Sequence, residues 1–208
     1  MLVACECSGV VREAFRALGH DAWSCDLQEP EDGSQYHIQG DALEAATDHH
    51  WDLMIAHPPC TYLSRAGARW WKYEGRQKKA DDAARFVAAL WATWIPRVAI
   101  ENPIGQLNRR WRYPDQIIQP WEHGHPYSKA TCLWLRGLPP LMPTEVLSER
   151  KPFLVTNASA RKRAGLPRLA TVTNAKDASR TFPGIAKAMA DQWSPFLHPA
   201  VRRLIPTQ

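Results

Sequence analysis

Two short strings in the 208-residue chain carry side chains suited to covalent chemistry: Pro58-Pro59-Cys60 and Glu101-Asn102-Pro103. Paired prolines restrict the backbone and hold the next side chain in one geometry. A thiol held there suits nucleophilic attack, and an unperturbed thiol ionises near ~8.5, within reach of neutrality. The alternative is a buried structural cysteine, the commoner fate of a lone Cys. A carboxyl at Glu101 can donate or accept a proton beside the thiol; otherwise it is a surface acid in a turn. Together they fit one reaction. Thiolate addition at C6 of a pyrimidine, with the acid supporting N3, makes C5 a nucleophile able to take a methyl group from a sulfonium donor. Three more positions suit a nucleoside-type ligand. A Ser8-Gly9 turn lets a ligand approach a helix N-terminus. Asp26 can bond both hydroxyls of a ribose, or cap a helix. Asp41, after Gly40, has the same ambiguity, since Asp is a common N-cap. Their order along successive units fits a nucleoside cofactor better than three accidents do.

These residues need a scaffold, and the hydrophobic pattern predicts one. Strands are expected at Leu2–Cys5, Ala22–Cys25, Asp52–Ala56, Arg97–Ile100 and Ala130–Leu135. Helices are expected at Val10–Leu18 (ended by Gly19), Ala42–Ala46, Ala80–Trp94 and Pro183–Trp193, from apolar spacing near 3.6 and from caps. Residues 28–35 read as a polar loop, and Pro139–Ser179 as a loop-rich excursion without periodicity. Strands alternating with helices predict an α/β fold with a mostly parallel sheet and helices on both faces. Ligands bind such sheets at the carboxyl ends of the strands, where Ser8-Gly9, Asp26, Pro59-Cys60 and Glu101-Asn102 all fall.

With that order in place, the chain resembles the cytosine-C5 DNA methyltransferase family. Residues 52–64, DLMIAHPPCTYLS, resemble its nucleophile loop, with Pro59, Cys60 and Ser64 matching and Thr61 replacing the usual Gln. Ile100-Glu101-Asn102 resembles the Glu-Asn-Val motif, with Pro103 for Val. Gly40-Asp41 resembles the motif whose acid bonds the cofactor's adenine amino group. Asp26 matches the ribose-binding acid, and Leu27 is placed to pack on adenine. The first glycine motif is degenerate, Cys5-Glu6-Cys7-Ser8-Gly9, and Cys5 and Cys7 read as turn residues rather than a metal pair. Gly124–Thr131 stands where the family has Gln-x-Arg-x-Arg, and only Lys129 keeps a positive charge. Arg180-Thr181-Phe182-Pro183-Gly184 resembles the last motifs. The likeness covers 1–135 well and 179–194 loosely. It implies a single Rossmann-like methyltransferase domain over 1–208 that uses S-adenosylmethionine, with a loop-rich segment, 136–178, in place of a full target-recognition domain. The catalytic set it implies is Cys60, Glu101, Asn102, Pro59 and Lys129. The cofactor set is Cys7, Ser8, Gly9, Asp26, Leu27, Asp41 and Pro58. No metal is expected. Short proteins of this kind occur in viruses and prophages.

The segment after Cys60 is dense in cations and aromatics: Arg65, Arg69, Trp70, Trp71, Lys72, Arg76, Lys78 and Lys79. In the family it is a mobile loop that closes over an extruded base. Cations there would meet phosphates, and an aromatic could fill the vacated stack. Ser64 would sit at its start. Alternatively the segment is the solvated start of the Ala80 helix. A second basic cluster, Arg161-Lys162-Arg163 with Arg168, is equally a solvated loop or a backbone contact. The formal charge of +5 mildly favours a polyanionic partner. Five cysteines, an odd number without disulfide spacing, point to a reducing, cytoplasmic compartment. No signal-like start or membrane-length apolar run is present, so neither secretion nor membrane attachment is expected. Three functions stay open: C5 methylation of DNA, with little sequence specificity or with specificity supplied by a partner or a homodimer; the same chemistry on single strands, RNA or a free nucleotide; and a catalytically silent nucleic-acid binder.

Overall fold

Short apolar runs at β1 (Leu2–Ala4), β4 (Leu53–Ala56) and β5 (Arg97–Pro103) form the centre of the parallel part of the sheet, which the more polar β2 (Trp23–Asp26) and β3 (His37–Gln39) extend. The computed structural model describes residues 1–153 and 179–197. Beyond β5 the direction reverses: β8 (Thr131–Arg136) pairs antiparallel with β5, and β6 (Gln116–Ile118) pairs antiparallel with β8. The strand order is β3-β2-β1-β4-β5-β8-β6. A parallel strand must bury both faces, and the two-residue alternation divides the core accordingly. Leu2, Ala4, Met54, Ala56, Val98 and Ile100 meet α2 (Ala42–Asp48) and α3 (Glu74–Trp91). Val3, Leu53, Ile55 and Ala99 meet α1 (Val10–Arg16) and α5 (Pro183–Trp193), through Val11, Phe15, Ile185, Met189 and Trp193. Each fully buried Leu, Ile or Phe contributes about 1.5–3 kcal/mol. The two apolar layers, more than the short ladders, therefore hold the sheet. This is the expected Rossmann-like α/β arrangement, mostly parallel with helices on both faces.

Several boundaries differ from those read in the sequence. α3 starts at Glu74, so Arg76, Lys78 and Lys79 lie on its first turns rather than in a loop; Arg65–Trp70 forms a 3-10 helix. α3 also stops at Trp91, and Trp94 is 99% exposed. Arg136 of β8 explains the stop: its guanidinium donates to the carbonyls of Trp91 (2.5 Å), Thr93 (2.9 Å) and Ile95 (2.7 Å), consuming acceptors that a helix end leaves open. β5 runs on to Pro103 because β8 keeps pairing with Glu101, Asn102 and Pro103 after the β4 ladder has ended at Ala56↔Ile100. β3 and β6, three residues each, were too short to register as periodic runs. So were α4 (Leu107–Arg110) and the small parallel pair β7 (Tyr127–Ser128) and β9 (Lys151–Pro152).

Candidate active site

Register brings the reactive residues together. Ala4 pairs with Ala56, and Ala56 with Ile100. Cys5, His57 and Glu101 are the next residues on three neighbouring strands, at the carboxyl edge of the sheet. The His57 amide donates to the Ala4 carbonyl at 2.9 Å, carrying the β4 path one residue past its end. Glu101 Oε2 lies 3.6 Å from His57 Nδ1, and both side chains are largely buried. Burial alone would neutralise both groups, but each offsets this for the other. Burial lowers the proton affinity of His57, yet the Glu101 carboxylate leaves it net raised. Burial likewise pushes Glu101 up, but His57, with Lys129 and the Thr131 hydroxyl, leaves it net lowered.

Cys60 stands just beyond. Its thiol is pushed up by burial and then by the Glu101 carboxylate, while Lys129 and a backbone hydrogen bond oppose. It is therefore a harder acid to ionise than the unperturbed thiol assumed from sequence. Burial pushes Cys25 and Cys132 up to about 11, which leaves them inert thiols. The loop around Cys60 is tightly held. Buried Asn102 donates through Nδ2 to the Pro58 carbonyl at 2.8 Å, so it braces the proline pair. The Cys60 carbonyl accepts from the amides of Leu63 (3.0 Å) and Ser64 (2.8 Å). A one-residue antiparallel bridge, Ser64↔Gly105, then ties this loop to the turn after β5. Arg65 N–H donates to Ile104 O at 2.9 Å, and Gln106 N–H to Leu63 O at 2.8 Å. Lys129 lies over the rings of Phe153 and Phe182, at 5.3 and 5.6 Å.

Beside Cys60 opens a cavity of about 310 Å³, lined by Cys5, Glu6, Cys7, Ser8, Asp26, Gln28, Glu31, His57, Pro59, Cys60, Thr61 and residues 179–181. Of the sequence-derived cofactor set, Cys7, Ser8 and Asp26 line it. Asp26 Oδ1 accepts from the Gln28 amide at 2.9 Å, and Oδ2 has no partner among the described residues. Gly9, at φ 73, precedes α1 in a left-handed conformation that favours glycine. Leu27 is 74% exposed beside the cavity. Asp41 caps α2, accepting from the amides of Leu43 and Glu44, and faces a neighbouring groove with Leu43, Glu44 and Trp94. Pro58 is buried under its bond from Asn102.

Glu6 has a role that sequence reading missed. Its buried carboxylate accepts from the amides of Val11 (2.8 Å) and Arg12 (3.3 Å) and from the Ser8 hydroxyl (3.2 Å). It satisfies the first amides of α1 from within, so those amides are already occupied at the turn where a ligand was expected to approach. The signal lay in the acid at the centre of the degenerate glycine motif. Arg180 pairs with Glu31 across the cavity rim.

The basic segment is exposed. Arg65, Arg69, Trp70, Lys72, Tyr73, Lys78 and Lys79 reach solvent. Trp70 stacks near Tyr73 at 6.0 Å, with Arg69 over it at 4.9 Å. Trp71 is only partly exposed, and its indole N–H is buried without a partner among the described residues. Tyr62, which the sequence reading passed over, lies under both Arg76 (4.7 Å) and Lys79 (5.3 Å). The second cluster, Arg161, Arg163 and their neighbours, lies outside the described residues.

No family model matches the sequence, and no curated protein is similar to it. Among solved structures, one that matches is a proposed DNA modification methyltransferase encoded within an E. coli prophage. The identity is 14%, over 70% of this chain and 51% of that one, with a TM-score of 0.45. The chain thus spans about half the length of that structure. What the site does must be judged from its own side chains.

Proposed function

We propose that the chain is an S-adenosylmethionine-dependent methyltransferase that acts on C5 of cytosine in DNA, with Cys60 as the covalent nucleophile. The observation that carries this is convergence: Cys60 and a buried His57–Glu101 pair stand at one edge of the sheet, beside a cavity that Asp26 also lines. The cavity's charge fits the cofactor. Glu6, Asp26 and Glu31 outnumber Arg180 and His57 around it, which suits a sulfonium and an ammonium on a ribose-bearing ligand. Asp26 has a carboxylate oxygen left for the ribose hydroxyls. When bound, the cofactor would supply an electrophilic methyl group.

The residues of this chain would do the rest. Cys60 Sγ would bond to C6 of the pyrimidine as the C5=C6 pair moves to C4=C5 and the C4=N3 pair moves onto N3, which takes a proton from Glu101. Lys129 opposes the raised proton affinity of Cys60 and so favours its thiolate. Pro58, Pro59 and Asn102 hold the attack geometry, where misplacement of about 1 Å costs ~100-fold. Methylation at C5 and loss of the C5 proton to water would then re-form C5=C6 as the C6–S bond breaks, freeing Cys60 as its thiolate. The exposed cations and Trp70 after Cys60 would meet the polyanion and its bases.

The test is methyl transfer from labelled cofactor to duplex DNA, single strands and free cytosine nucleotides. Substrates bearing 5-fluorocytosine should trap the chain through Cys60, seen as a mass shift on the peptide containing it, and Cys60→Ala should abolish that adduct. Methyl on an exocyclic nitrogen, or activity that survives Cys60→Ala, would overturn the mechanism. Transfer only to nucleotides or single strands would keep the chemistry and reassign the substrate.

A further inference from the structure

The His57–Glu101 pair has features that a bracing role alone does not require. His57 occupies the sheet edge immediately before the two prolines, so its backbone is fixed from both sides: by the Ala4 carbonyl, and by the Pro58 carbonyl bond to Asn102. Its ring stands between acids from two other strands, Glu101 on β5 and Glu6 after β1, and both favour its charged form. Lys129, leading into β8, opposes it. Cys60 and, on β8, Cys132 also face the Glu101 carboxylate. His57 Nε2 is buried with no hydrogen-bond partner among the described residues, and the residue lines the cavity that Cys60 also lines. At 3.6 Å the Nδ1–Oε2 contact is a charge pair rather than a formed hydrogen bond. Such contacts tighten when substrate closes a site.

A cytosine attacked at C6 needs a proton at N3, and Glu101 has to obtain one. Its ordinary carboxylate is ionised near neutrality, and in this pocket neighbouring cations hold it further towards the ionised form. A proton therefore has to come from somewhere else within the pocket. Building on the reading of Cys60 and Glu101 given above, we propose that His57 is a positioning residue that stores this proton on Nδ1 and passes it through Glu101 to N3 of the target base. In balanced form, the His57 Nδ1–H bond breaks as Glu101 Oε2 takes the proton. Glu101 releases a proton to N3 as Cys60 Sγ bonds to C6. Glu101 leaves as it entered, and His57 ends neutral. Once water has taken the C5 proton and the C6–S bond has broken, N3 returns its proton through Glu101 to His57. No oxidant is needed, and no further reactant besides water.

Adduct formation on 5-fluorocytosine duplex, followed against pH, tests this. In the wild type the rate should rise as Cys60 ionises and then fall as His57 loses its proton. His57→Gln keeps a polar side chain of similar reach without a titrating proton. It should stay folded by circular dichroism, run about 100-fold slower, as expected for a lost acid-base partner, and lose the alkaline fall. A rate loss with the alkaline fall retained would mean that His57 only braces the loop, and would overturn the proposal. A second readout needs no turnover: the imidazole titration of His57 by NMR should move to lower pH in Glu101→Gln. An unmoved midpoint would overturn it too. Absence of any adduct in the wild type at every pH would sink the Cys60 reading and this proposal together. An adduct in the wild type with an identical pH profile in His57→Gln would sink this proposal alone.

Discussion

The bridge between the Cys60 loop and the turn after β5 depends on Gly105 having no side chain. A Cβ at Gly105 would lie 2.0 Å from the Leu63 carbonyl oxygen and 3.0 Å from Ser64 Cα. Ordinary contact begins near 3.4 Å, so in Gly105→Ala the two segments would have to part by roughly 1.4 Å. Both obstacles are backbone atoms, so no side chain can swing aside to relieve the clash. Parting stretches the bonds from Arg65 N–H to Ile104 O and from Gln106 N–H to Leu63 O, each contributing about 0.5–1.5 kcal/mol. The expected destabilisation is therefore about 1–3 kcal/mol, the usual range for overpacking. The effect on chemistry should be larger. The Cys60 carbonyl accepts from Leu63 and Ser64, so a shift there reaches the nucleophile, and a displacement of about 1 Å is expected to slow attack ~100-fold. Urea unfolding measures the first effect and the rate of 5-fluorocytosine adduct formation the second. An Ala variant as fast as wild type would refute the idea that this clamp positions Cys60. One as stable as wild type would refute the clash.

Four further outcomes are expected. Glu6→Ala should lower stability by about 1–3 kcal/mol in thermal unfolding, because it leaves the buried amides of Val11 and Arg12 without their acceptor; Glu6→Gln, which keeps one oxygen, should cost less. Asp26→Ala should weaken S-adenosylhomocysteine binding in calorimetry by about 1.5–3 kcal/mol, the worth of a charged hydrogen bond. Replacing Arg69, Lys72 and Lys79 by Ala should flatten the salt dependence of DNA affinity, by about 0.9 in log–log slope for each phosphate no longer neutralised, measured by fluorescence anisotropy. The His57–Glu101 pair gives stability a pH signature. His57 has a raised proton affinity in the fold, so its contribution is full below the unfolded value of about 6.5 and is lost as pH rises through the raised folded value. Glu101 has a lowered one, so its contribution is present above the unfolded carboxylate value and is lost only as pH falls through the lowered one. Unfolding midpoints of the wild type should therefore decline on the alkaline side, and those of Glu101→Gln should not.

Much of this was legible because the informative residues sit next to strong local signals. The apolar runs at Leu2, Leu53 and Val98 predicted parallel strands, and Pro58-Pro59 marked where one of them ends beside Cys60. Asp41 read as either a cap or a ligand, and its Oδ1 is occupied as a cap. What escaped depended on partners distant in sequence. His57 next to a proline pair looks like a strand terminator until register sets it against Glu101. Glu6 looks like a flaw in a glycine motif until its carboxylate is seen on the amides of α1. Tyr62 lies between two cations only because α3 begins at Glu74 and brings Arg76 and Lys79 back towards it. β6 was invisible because three residues cannot display a period, and its place is set by β8.

The guanidinium of Arg136 also bears on the order in which this chain can fold. It holds the three carbonyls of the α3–β5 corner across 41 to 45 residues of sequence, and its own strand supplies the ladder for Glu101 and Asn102. During synthesis, β1 to β5 with α1, α2 and α3 would emerge well before β8, and until then the corner lacks its donors and β5 stands as an open sheet edge. An open edge of that kind invites pairing with another chain, and closing it must wait for a long-range contact, which slows the step. The last antiparallel strand therefore completes the sheet, ends a helix and aligns the acid of the candidate site in a single event, so that a nascent or truncated chain lacking it would have neither a finished fold nor a formed centre.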